Sequence, residues 1–281
     1  MTTSTLITAA LTGAETAKSA APSLPVTLSE LVAAAQSSQV AGAAMVHVHI
    51  RDDSGEPTLD PGRLGESVAA LRSQTDLVVQ LSTGGAVTDP YEARLAVLDA
   101  EPDSCSLTCG TVNFGTDVFL NPWPFIVELY RQTQAREIVP EFELFDLGHV
   151  TSLNRLLDKE GPPFGGHVHC DLVMGVPGGM PGNPATLVAA VAALPPGATW
   201  SATGVGRTSL PIALATLSAG GHLRVGMEDT LTFAPGRPVR DNAELVERAA
   251  TLATLAQRPP MTTDAARMML NVKDRSGGGK P

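Results

Sequence analysis

Aromatic residues make up only 4% of this chain of 281 residues, whereas 43% of its residues are hydrophobic. A core built from this sequence must therefore consist mainly of Ala, Val and Leu side chains. Long apolar runs are also lacking, so the sequence predicts no membrane-spanning helix. Residues 1–11 lack the basic region and the apolar run of a signal peptide, so we expect neither secretion nor a membrane partner.

Positive charge is scarce as well, and the net charge of the chain is −10. No basic block offsets this balance, which argues against nucleic acid or an anionic membrane as the main partner. The only cysteines are Cys105, Cys109 and Cys170. An odd number outside a secretory context indicates reduced thiols and a cytoplasmic location. Cys105 and Cys109 have the spacing of a metal-binding pair, but we favour small buried hydrophobic residues as the interpretation.

Short apolar segments alternate with amphipathic segments along the whole chain, which is typical of α/β proteins. Eight such strand–helix units predict a (β/α)8 TIM barrel formed by residues 1–270, a single domain, followed by a flexible tail at 271–281. An open doubly wound sheet is the alternative, but the turn after the first strand lacks the GxGxxG loop of a Rossmann fold. The predicted strands are 6–11, 45–50, 77–82, 104–109, 138–145, 166–174, 199–204 and 223–228.

His47 and His49 form the most informative motif. Alternate residues of a strand point to the same face, so the two imidazoles project together. The turn-forming run at 52–57 places them at the carboxyl end of their strand, where α/β barrels bind ligands. Two neutral imidazoles on one face are half of a typical divalent-metal site. The alternative is that both histidines simply line a pocket.

Polar residues also follow several other predicted strands, and the carboxyl ends of the strands converge in a barrel. Arg224 and Glu228 share one face of the eighth strand by the period of two, and the first strand separates that strand from the second. Glu228 is therefore a candidate third metal ligand, and Arg224 one layer deeper can hold the carboxylate of Asp229. The alternative role of Arg224 is a structural ion pair. The alternative role of Ser82 and Thr108 is to cap the helices that follow their strands. The other strand ends contribute Glu15, Ser82, Gly84, Gly85, Thr108, Asn113, Glu141 and Glu143.

Two further segments carry weaker signals. His167 and His169 form a second HxH motif early in the sixth strand, away from its carboxyl end. This motif is an alternative candidate for the metal site. The run at 175–181 is rich in glycine and lies at the carboxyl end of that strand. Its backbone amides can approach a phosphate or carboxylate closely, although a simple turn is the alternative.

With these motifs in place, the sequence resembles the β-keto acid cleavage enzyme family. The resemblance implies a (β/α)8 barrel in a homo-oligomer, a dimer or tetramer, that binds a divalent metal, generally zinc. The implied reaction converts a β-keto acid and acetyl-CoA into acetoacetate and a new acyl-CoA. The segments that carry the resemblance are 12–15, 47–52, 57–58, 82–85, 106–114, 141–146, 175–181, 220–229 and 242–246.

The resemblance also implies roles for individual residues. It implies His47, His49 and Glu228 as metal ligands, and Asp229, paired with Arg224, as the catalytic base. It places Ser82 and Thr108 at the substrate, and Glu15 and Glu143 at the variable end of the keto acid, where two carboxylates favour a cationic group. We add Gly84, Gly85 and Asn113 from the matching segments as substrate-binding candidates. His167 and His169 are more polar than the family pattern and are expected to reach the pocket.

Two other functions remain open from the sequence. A metal-dependent hydrolase on the same barrel would need only water as co-substrate, but it usually carries HxH on the first strand and further histidines on the fifth and sixth. A metal-dependent binding protein for keto acids would show no turnover, and Asp229→Asn would not impair it.

Overall fold

Eight parallel strands close into a barrel in the computed structural model of the protein, which describes residues 4–275. Neighbouring strands in the barrel are consecutive in sequence, and β8 pairs with β1 to complete the ring. The predicted barrel is confirmed and the open sheet is excluded. The strands are β1 (Ile7–Ala10), β2 (Met45–Val48), β3 (Val78–Leu81), β4 (Ser104–Thr108), β5 (Val139–Leu144), β6 (His169–Met174), β7 (Thr199–Gly204) and β8 (His222–Val225).

Helices surround the barrel, and several begin with a capping side chain. Asp60, Asn183 and Asp241 each accept a hydrogen bond from a backbone N–H of the first helical turn, which satisfies a donor without an intrahelical partner. Thr27 and Glu30 form a capping box at the first helix. The helices are α1 (Leu28–Ala41), α2 (Pro61–Gln74), α3 (Tyr91–Ala96), α4 (Trp123–Ala135), α5 (Leu147–Glu160), α6 (Pro184–Ala193), α7 (Ser209–Ala219), α8 (Asn242–Leu255) and α9 (Thr263–Leu270).

The structure contains three elements that the sequence did not predict. Helix α9 covers the amino end of the barrel, where Ala266 and Leu270 pack in one cluster with Leu6 and Met45. Two hairpins extend from the opposite, carboxyl end: Val112–Phe114 pairs with Asp117–Phe119, and Thr232–Ala234 pairs with Arg237–Pro238. Both hairpins consist of strands of two or three residues, which are too short to show a clear apolar alternation in the sequence.

Two predicted boundaries are wrong in a way that affects the site. The second strand ends at Val48 rather than at residue 50, so His49 follows the strand instead of lying in it. The eighth strand ends at Val225 rather than at Glu228, and the chain then turns, with the Thr230 N–H donating to the Gly226 carbonyl at 3.1 Å. Glu228 therefore does not reach the site through the period of two along a strand. The alternation of the sequence continues past Val225, but the backbone leaves the sheet at Gly226.

The apolar core lies between the strands and the helices, whereas the inside of the barrel is polar. In β2, Val46 and Val48 belong to the outer apolar cluster, while His47 between them points inward. Branched aliphatic residues usually fill the interior of such barrels. Here much of it consists of buried hydrogen-bonding groups: Thr8, His47, Gln80, Ser104, Ser106, Glu141, Glu143, His169, Asp171, Ser201, Thr203 and Arg224.

The structure also bears on the predictions about the cysteines, membrane-spanning helices and the carboxyl-terminal tail. All three cysteines are buried and free, which confirms their interpretation as small hydrophobic residues, and burial raises the pKa of each thiol. No helix in residues 4–275 is long and apolar enough to cross a membrane. Of the predicted tail, residues 276–281 lie outside the described residues. Within its described part, Arg275 donates to the backbone carbonyls of Arg136 and Glu137, at 3.0 Å each.

Candidate active site

His47, His49 and Glu228 meet at the carboxyl end of the barrel. One potential ligand atom from each lies within 4.8 Å of the other two. The Nε2 atoms of His47 and His49 are 3.5 and 3.7 Å from Oε1 of Glu228. No other group of three such side chains with metal-ligand spacing occurs in residues 4–275. The predicted ligand set is therefore brought together, although Glu228 arrives from a turn and not from the strand.

The end of β1 sets the position of that turn. The Ala10 carbonyl accepts a hydrogen bond from the Glu228 N–H at 3.3 Å, while Ala10 is also the register partner of His47. Gly226 lies so close to β1 that a Cβ there would be 1.8 Å from the Ala10 carbonyl oxygen. Gly13, with φ of +66°, leaves space for the Glu228 side chain, whose Cγ would be 2.8 Å from a Cβ at that position.

His47 and His49 have the protonation state that metal binding requires. Gln80 is the register partner of His47 on β3, and its Oε1 lies 2.6 Å from His47 Nδ1. An amide oxygen accepts only, so Nδ1 carries the proton and the Nε2 lone pair faces Glu228. Burial lowers the pKa of His47 to about 3 and also lowers that of His49, so both imidazoles are neutral.

Two buried atoms at this point lack a hydrogen-bond partner. They are Nε2 of His47 and Oε2 of Glu228. Buried polar atoms are nearly always paired, so two unpaired acceptors at one point indicate a missing electrophilic partner. Two imidazoles and one carboxylate suit zinc and similar divalent ions, and they leave coordination positions open for substrate. The residues present therefore fit a catalytic divalent metal.

Arg224 lies below this triad and binds three carboxylates. Its guanidinium donates to Asp229 at 3.1 and 3.3 Å, to Glu143 at 3.1 Å, and to Glu228. Burial alone would lower the pKa of Arg224, but the surrounding carboxylates, Asp229 foremost, raise it well above its usual value. The guanidinium is thus permanently charged and fixes the orientation of all three acids.

The acids around Arg224 differ in their protonation. Burial alone would raise the pKa of Glu228, but Arg224 and the two histidines lower it to about 2, so Glu228 is ionised. Burial raises the pKa of Asp229 to about 7, against the lowering effect of Arg224. Glu143 is buried, which raises its pKa, and it also accepts a hydrogen bond from Thr108 at 2.9 Å. Ionised and readily protonated carboxylates therefore lie side by side.

A cavity of about 260 Å³ opens above these groups. Most of the predicted residues line it: Glu15, His49, Ser82, Gly84, Gly85, Glu143, Arg224, Glu228 and Asp229. Gly13, Ala14 and Thr16 of the loop after β1 also line it, and the remaining wall is apolar: Val87, Phe114, Phe119, Phe145, Val173, Val176 and Val205. Thr108 lies behind Glu143 and does not line the described cavity, and Asn113 is an exposed residue of the first hairpin.

Ser82 and Glu15 take different positions at the cavity. The Ser82 hydroxyl accepts a hydrogen bond from the Gly84 N–H at 3.1 Å, which leaves its own proton free to donate to a ligand. Glu15 is exposed in the loop after β1. Arg51 shapes that loop, because its Nη2 donates to the carbonyls of Gly13 and Thr16 at 2.7 and 2.9 Å.

The second histidine motif lies outside the cavity. His167 and His169 both contact the Thr199 hydroxyl at 2.7 Å, and His169 also contacts Ser201 at 3.1 Å. Burial lowers the pKa of both histidines. They form a neutral hydrogen-bonded network at the amino end of β6. The expectation that they reach the pocket is wrong for the described cavity, because His167 precedes β6 and His169 is its first residue, whereas the cavity is lined by the carboxyl end of that strand.

The described site differs from the one expected of a hydrolase, because the histidine of β6, His169, lies at the amino end of its strand and does not line the cavity. Strand β5 contributes Glu141 and Glu143 to the barrel interior rather than histidine. His149 lies in α5, where its ring contacts the Phe145 N–H and the Thr111 carbonyl, each at 3.3 Å.

Sequence reasoning missed Gln80 and the apolar wall, and it noted Arg51 at the end of the second strand without assigning it a role. Gln80 is a polar residue within the apolar strand Val78–Leu81, and that pattern marks an inward-facing side chain. Arg51 directly follows the histidine motif but acts through backbone carbonyls, which the sequence does not reveal. The apolar wall combines residues of several loops, a hairpin and the end of β6, so no local pattern predicts it.

Comparison with known proteins decides the family. A family model described as beta-keto acid cleavage enzyme matches residues 4–272. This chain belongs to the β-keto acid cleavage enzyme family. It is 37% identical over 273 residues to a 3-keto-5-aminohexanoate cleavage enzyme from Acetoanaerobium sticklandii, covering 95% of this chain and 98% of the relative.

Other family relatives differ in their substrates. A 3-oxoadipate:acetyl-CoA acetyltransferase from Cupriavidus necator is 34% identical over 284 residues, covering 100% of this chain and 99% of the relative. Among solved structures, the apo structure of ObcA has a TM-score of 0.76 at 21% identity, covering 89% of this chain and 66% of that one. That likeness supports the barrel fold alone.

Proposed function

We propose that this protein converts a β-keto acid and acetyl-CoA into acetoacetate and a new acyl-CoA. One observation carries the proposal: two neutral histidines and an ionised carboxylate converge beside a second acid, which Arg224 orients, at one end of a mostly apolar cavity. The names of two family relatives support it, since one is a cleavage enzyme for a keto acid and the other an acetyltransferase that uses acetyl-CoA.

The reaction balances without a redox cofactor. A proton leaves C2 of the keto acid, and the resulting carbanion forms a carbon–carbon bond to the acetyl carbon. This attack breaks the thioester C–S bond, and the released CoA thiolate adds to the original keto carbon. The bond between that carbon and C2 then breaks, and C2 takes back the proton that it lost. Acetoacetate therefore contains the acetyl group and the C1–C2 unit, while the acyl-CoA contains the variable part of the substrate.

His47, His49 and Glu228 would hold a divalent metal, which we propose is zinc. When bound, such an ion polarises carbonyl and carboxylate oxygens as a Lewis acid, which acidifies the C2 proton. Asp229 takes that proton, and the two hydrogen bonds from Arg224 keep its carboxylate oriented. Ser82 donates its hydroxyl proton to a substrate oxygen in the cavity. Thr108 acts through Glu143, whose carboxylate it holds.

We propose further that the keto acid carries a cationic group at its variable end. Glu15 makes no hydrogen bond within the described residues and lies at the cavity, whereas Glu143 is already paired with Arg224 and Thr108. The amino group in the name of one relative's substrate agrees with this, and the second carboxylate of 3-oxoadipate shows that the family also accepts anions. A panel of cationic, neutral and anionic keto acids tests the idea. Best turnover of a neutral or anionic member, unchanged in Glu15→Gln, would contradict it.

The experiment for the reaction itself combines zinc-loaded protein, acetyl-CoA and the keto-acid panel. Mass spectrometry follows acetoacetate and the new acyl-CoA. Asp229→Asn should reduce kcat by about 10²- to 10⁴-fold, the usual contribution of a general base, while keto-acid binding remains. Asp99→Asn, an equal charge change on the outer surface, should retain full activity.

Other outcomes would overturn the proposal. Keto-acid consumption that does not require acetyl-CoA would favour the hydrolase, and binding without turnover that survives Asp229→Asn would favour the binding protein.

We also propose that the protein functions as a homo-oligomer in the cytoplasm. Its three cysteines are free and buried, which suits a reducing compartment. Light scattering of the purified protein at several concentrations tests the oligomeric state, and a monomer throughout would contradict it.

A further inference from the structure

Arg207 is the exception among the basic residues of this protein. Every other Lys or Arg in residues 4–275 has a side-chain hydrogen bond, an ion pair or an aromatic ring as partner, and Arg207 has none. In a chain with a net charge of −10, carboxylates are abundant partners. The exposed guanidinium of Arg207 is therefore available to an anion from outside the protein, and its planar donor geometry suits a phosphate group.

The position of Arg207 is close to the active site. It lies in the short 3₁₀ segment Gly206–Thr208, directly after β7 at the carboxyl end of the barrel. The loops after strands seven and eight are the usual phosphate-binding region of (β/α)8 barrels. Thr208, also in this segment, anchors it through a hydrogen bond from its hydroxyl to the Val205 carbonyl at 2.8 Å.

Arg207 faces a cleft of about 460 Å³ whose other wall is the glycine-rich loop at 175–183. Arg207 is the sole charged residue among the described residues that line it. Val176 and Val205 line both this cleft and the active-site cavity, so the two spaces adjoin. A ligand can therefore extend from the cavity into the cleft.

The glycine-rich loop has a defined shape rather than that of a simple turn. The Gly175 N–H donates to the Met180 carbonyl at 2.9 Å, and the Met180 N–H donates to the Phe145 carbonyl at 2.7 Å. Gly178 has φ of +104°, and its Cα lies against the first hairpin, where a Cβ would be 2.2 Å from the Asn113 carbonyl oxygen. The N–H groups of Gly178 and Gly182 have no acceptor within the described residues, so they remain available to an anion.

We propose that Arg207 and the glycine-rich loop bind a phosphate group of acetyl-CoA while its thioester lies in the cavity. The pantetheine arm of acetyl-CoA is uncharged and flexible, and its phosphates lie at the far end, so the ligand needs an apolar channel that leads to a cation. The apolar wall that joins the two spaces and the free guanidinium meet both needs. This inference rests on the proposed function, because it identifies where that reaction's co-substrate binds.

The experiment compares the native protein with Arg207→Gln, using two thioesters: acetyl-CoA and acetyl-pantetheine, which lacks the phosphates. Loss of one charge-assisted phosphate contact should raise the KM for acetyl-CoA about tenfold and leave kcat unchanged. The KM for acetyl-pantetheine and for the keto acid should not change. Arg207→Lys should restore part of the affinity, and added salt should raise the KM of the native protein more than that of Arg207→Gln.

Arg131→Gln is the matched control, since Arg131 is an exposed arginine on α4, and its KM values should equal those of the native protein. An unchanged KM for acetyl-CoA in Arg207→Gln would overturn the inference, as would an equal loss with both thioesters. If the native protein shows no acetyl-CoA-dependent turnover, the proposed function fails. Calorimetric titration of both proteins with CoA then tests the phosphate site separately.

Discussion

Gln80 gives the sharpest test of how the metal site is built. Its Oε1 lies 2.6 Å from His47 Nδ1 inside the barrel, and its Nε2 donates to the Ser104 hydroxyl at 3.1 Å. Leu has a similar size and cannot accept a hydrogen bond, so Gln80→Leu removes the group that fixes the tautomer of His47. Such supporting hydrogen bonds typically contribute 10- to 100-fold to metal affinity, or about 1.4 to 2.7 kcal/mol.

The same substitution has a separate effect on stability. It leaves Nδ1 of His47 buried without a partner, which costs about 1–3 kcal/mol. For a chain of this length, that cost lowers the Tm of the metal-free protein by about 2 to 5 °C. The two effects are measured independently, by competition with a fluorescent zinc chelator and by thermal unfolding.

Gln36→Leu is the control variant for both the zinc-affinity and the stability measurement. Gln36→Leu makes the same change on the exposed face of α1 and should alter neither quantity. If Gln80→Leu lowers the Tm but keeps the zinc affinity of the native protein within twofold, the hydrogen bond is only structural and the tautomer argument is refuted. If the native protein binds no divalent ion, the proposed metal site itself is wrong.

Three further predictions concern the barrel around the site. Gly226→Ala places a Cβ 1.8 Å from the Ala10 carbonyl oxygen and should destabilise the protein by about 3 kcal/mol or more in denaturant unfolding, whereas Gly65→Ala, with open space on a helix, should be neutral or stabilising. Burial raises the pKa of Glu141 to about 8, and neither of its carboxylate oxygens makes a hydrogen bond of ordinary geometry. Because the carboxyl pKa is raised, the native protein loses stability as pH rises from about 4.5 to 8. The free energy of unfolding of Glu141→Gln should therefore exceed that of the native protein by an amount that grows across this range. A difference that does not depend on pH would contradict this. Arg51→Met removes the donors to the Gly13 and Thr16 carbonyls and should raise the KM for the keto acid without changing zinc content, and an unchanged KM would show that the loop holds its shape alone.

The fold was predictable because its determinants are local. Strand and helix periodicities, together with caps such as Asp60, Asn183 and Asp241, are visible in the sequence, and eight such units leave few ways to bury their apolar faces. Helix α9 was not predicted because it follows the eight repeated units, and its packing on the amino end of the barrel joins it to residues distant in sequence. The two hairpins were missed because their strands are too short to show a clear apolar alternation.

The candidate site was predictable to the extent that it follows the same periodicities. His47 and Arg224 point inward because side chains alternate along a strand, whereas His49 directly follows the end of β2 at Val48. Glu228 reaches the histidines by a different route from the predicted one, through a turn held at Ala10. The resemblance to the family supplied the roles of Asp229 and Ser82, which the pattern alone left open.

The sequence by itself determined the barrel, the buried cysteines, the histidine pair and the acidic balance, because each depends on composition or on the period of one element. The tertiary structure alone decided that Gln80 fixes the tautomer of His47, that Arg224 joins three acids, and that Arg207 is left without a partner. These contacts join residues that are distant in sequence or lie across a turn. Their distances are set when the barrel closes, and no periodicity along the chain encodes them.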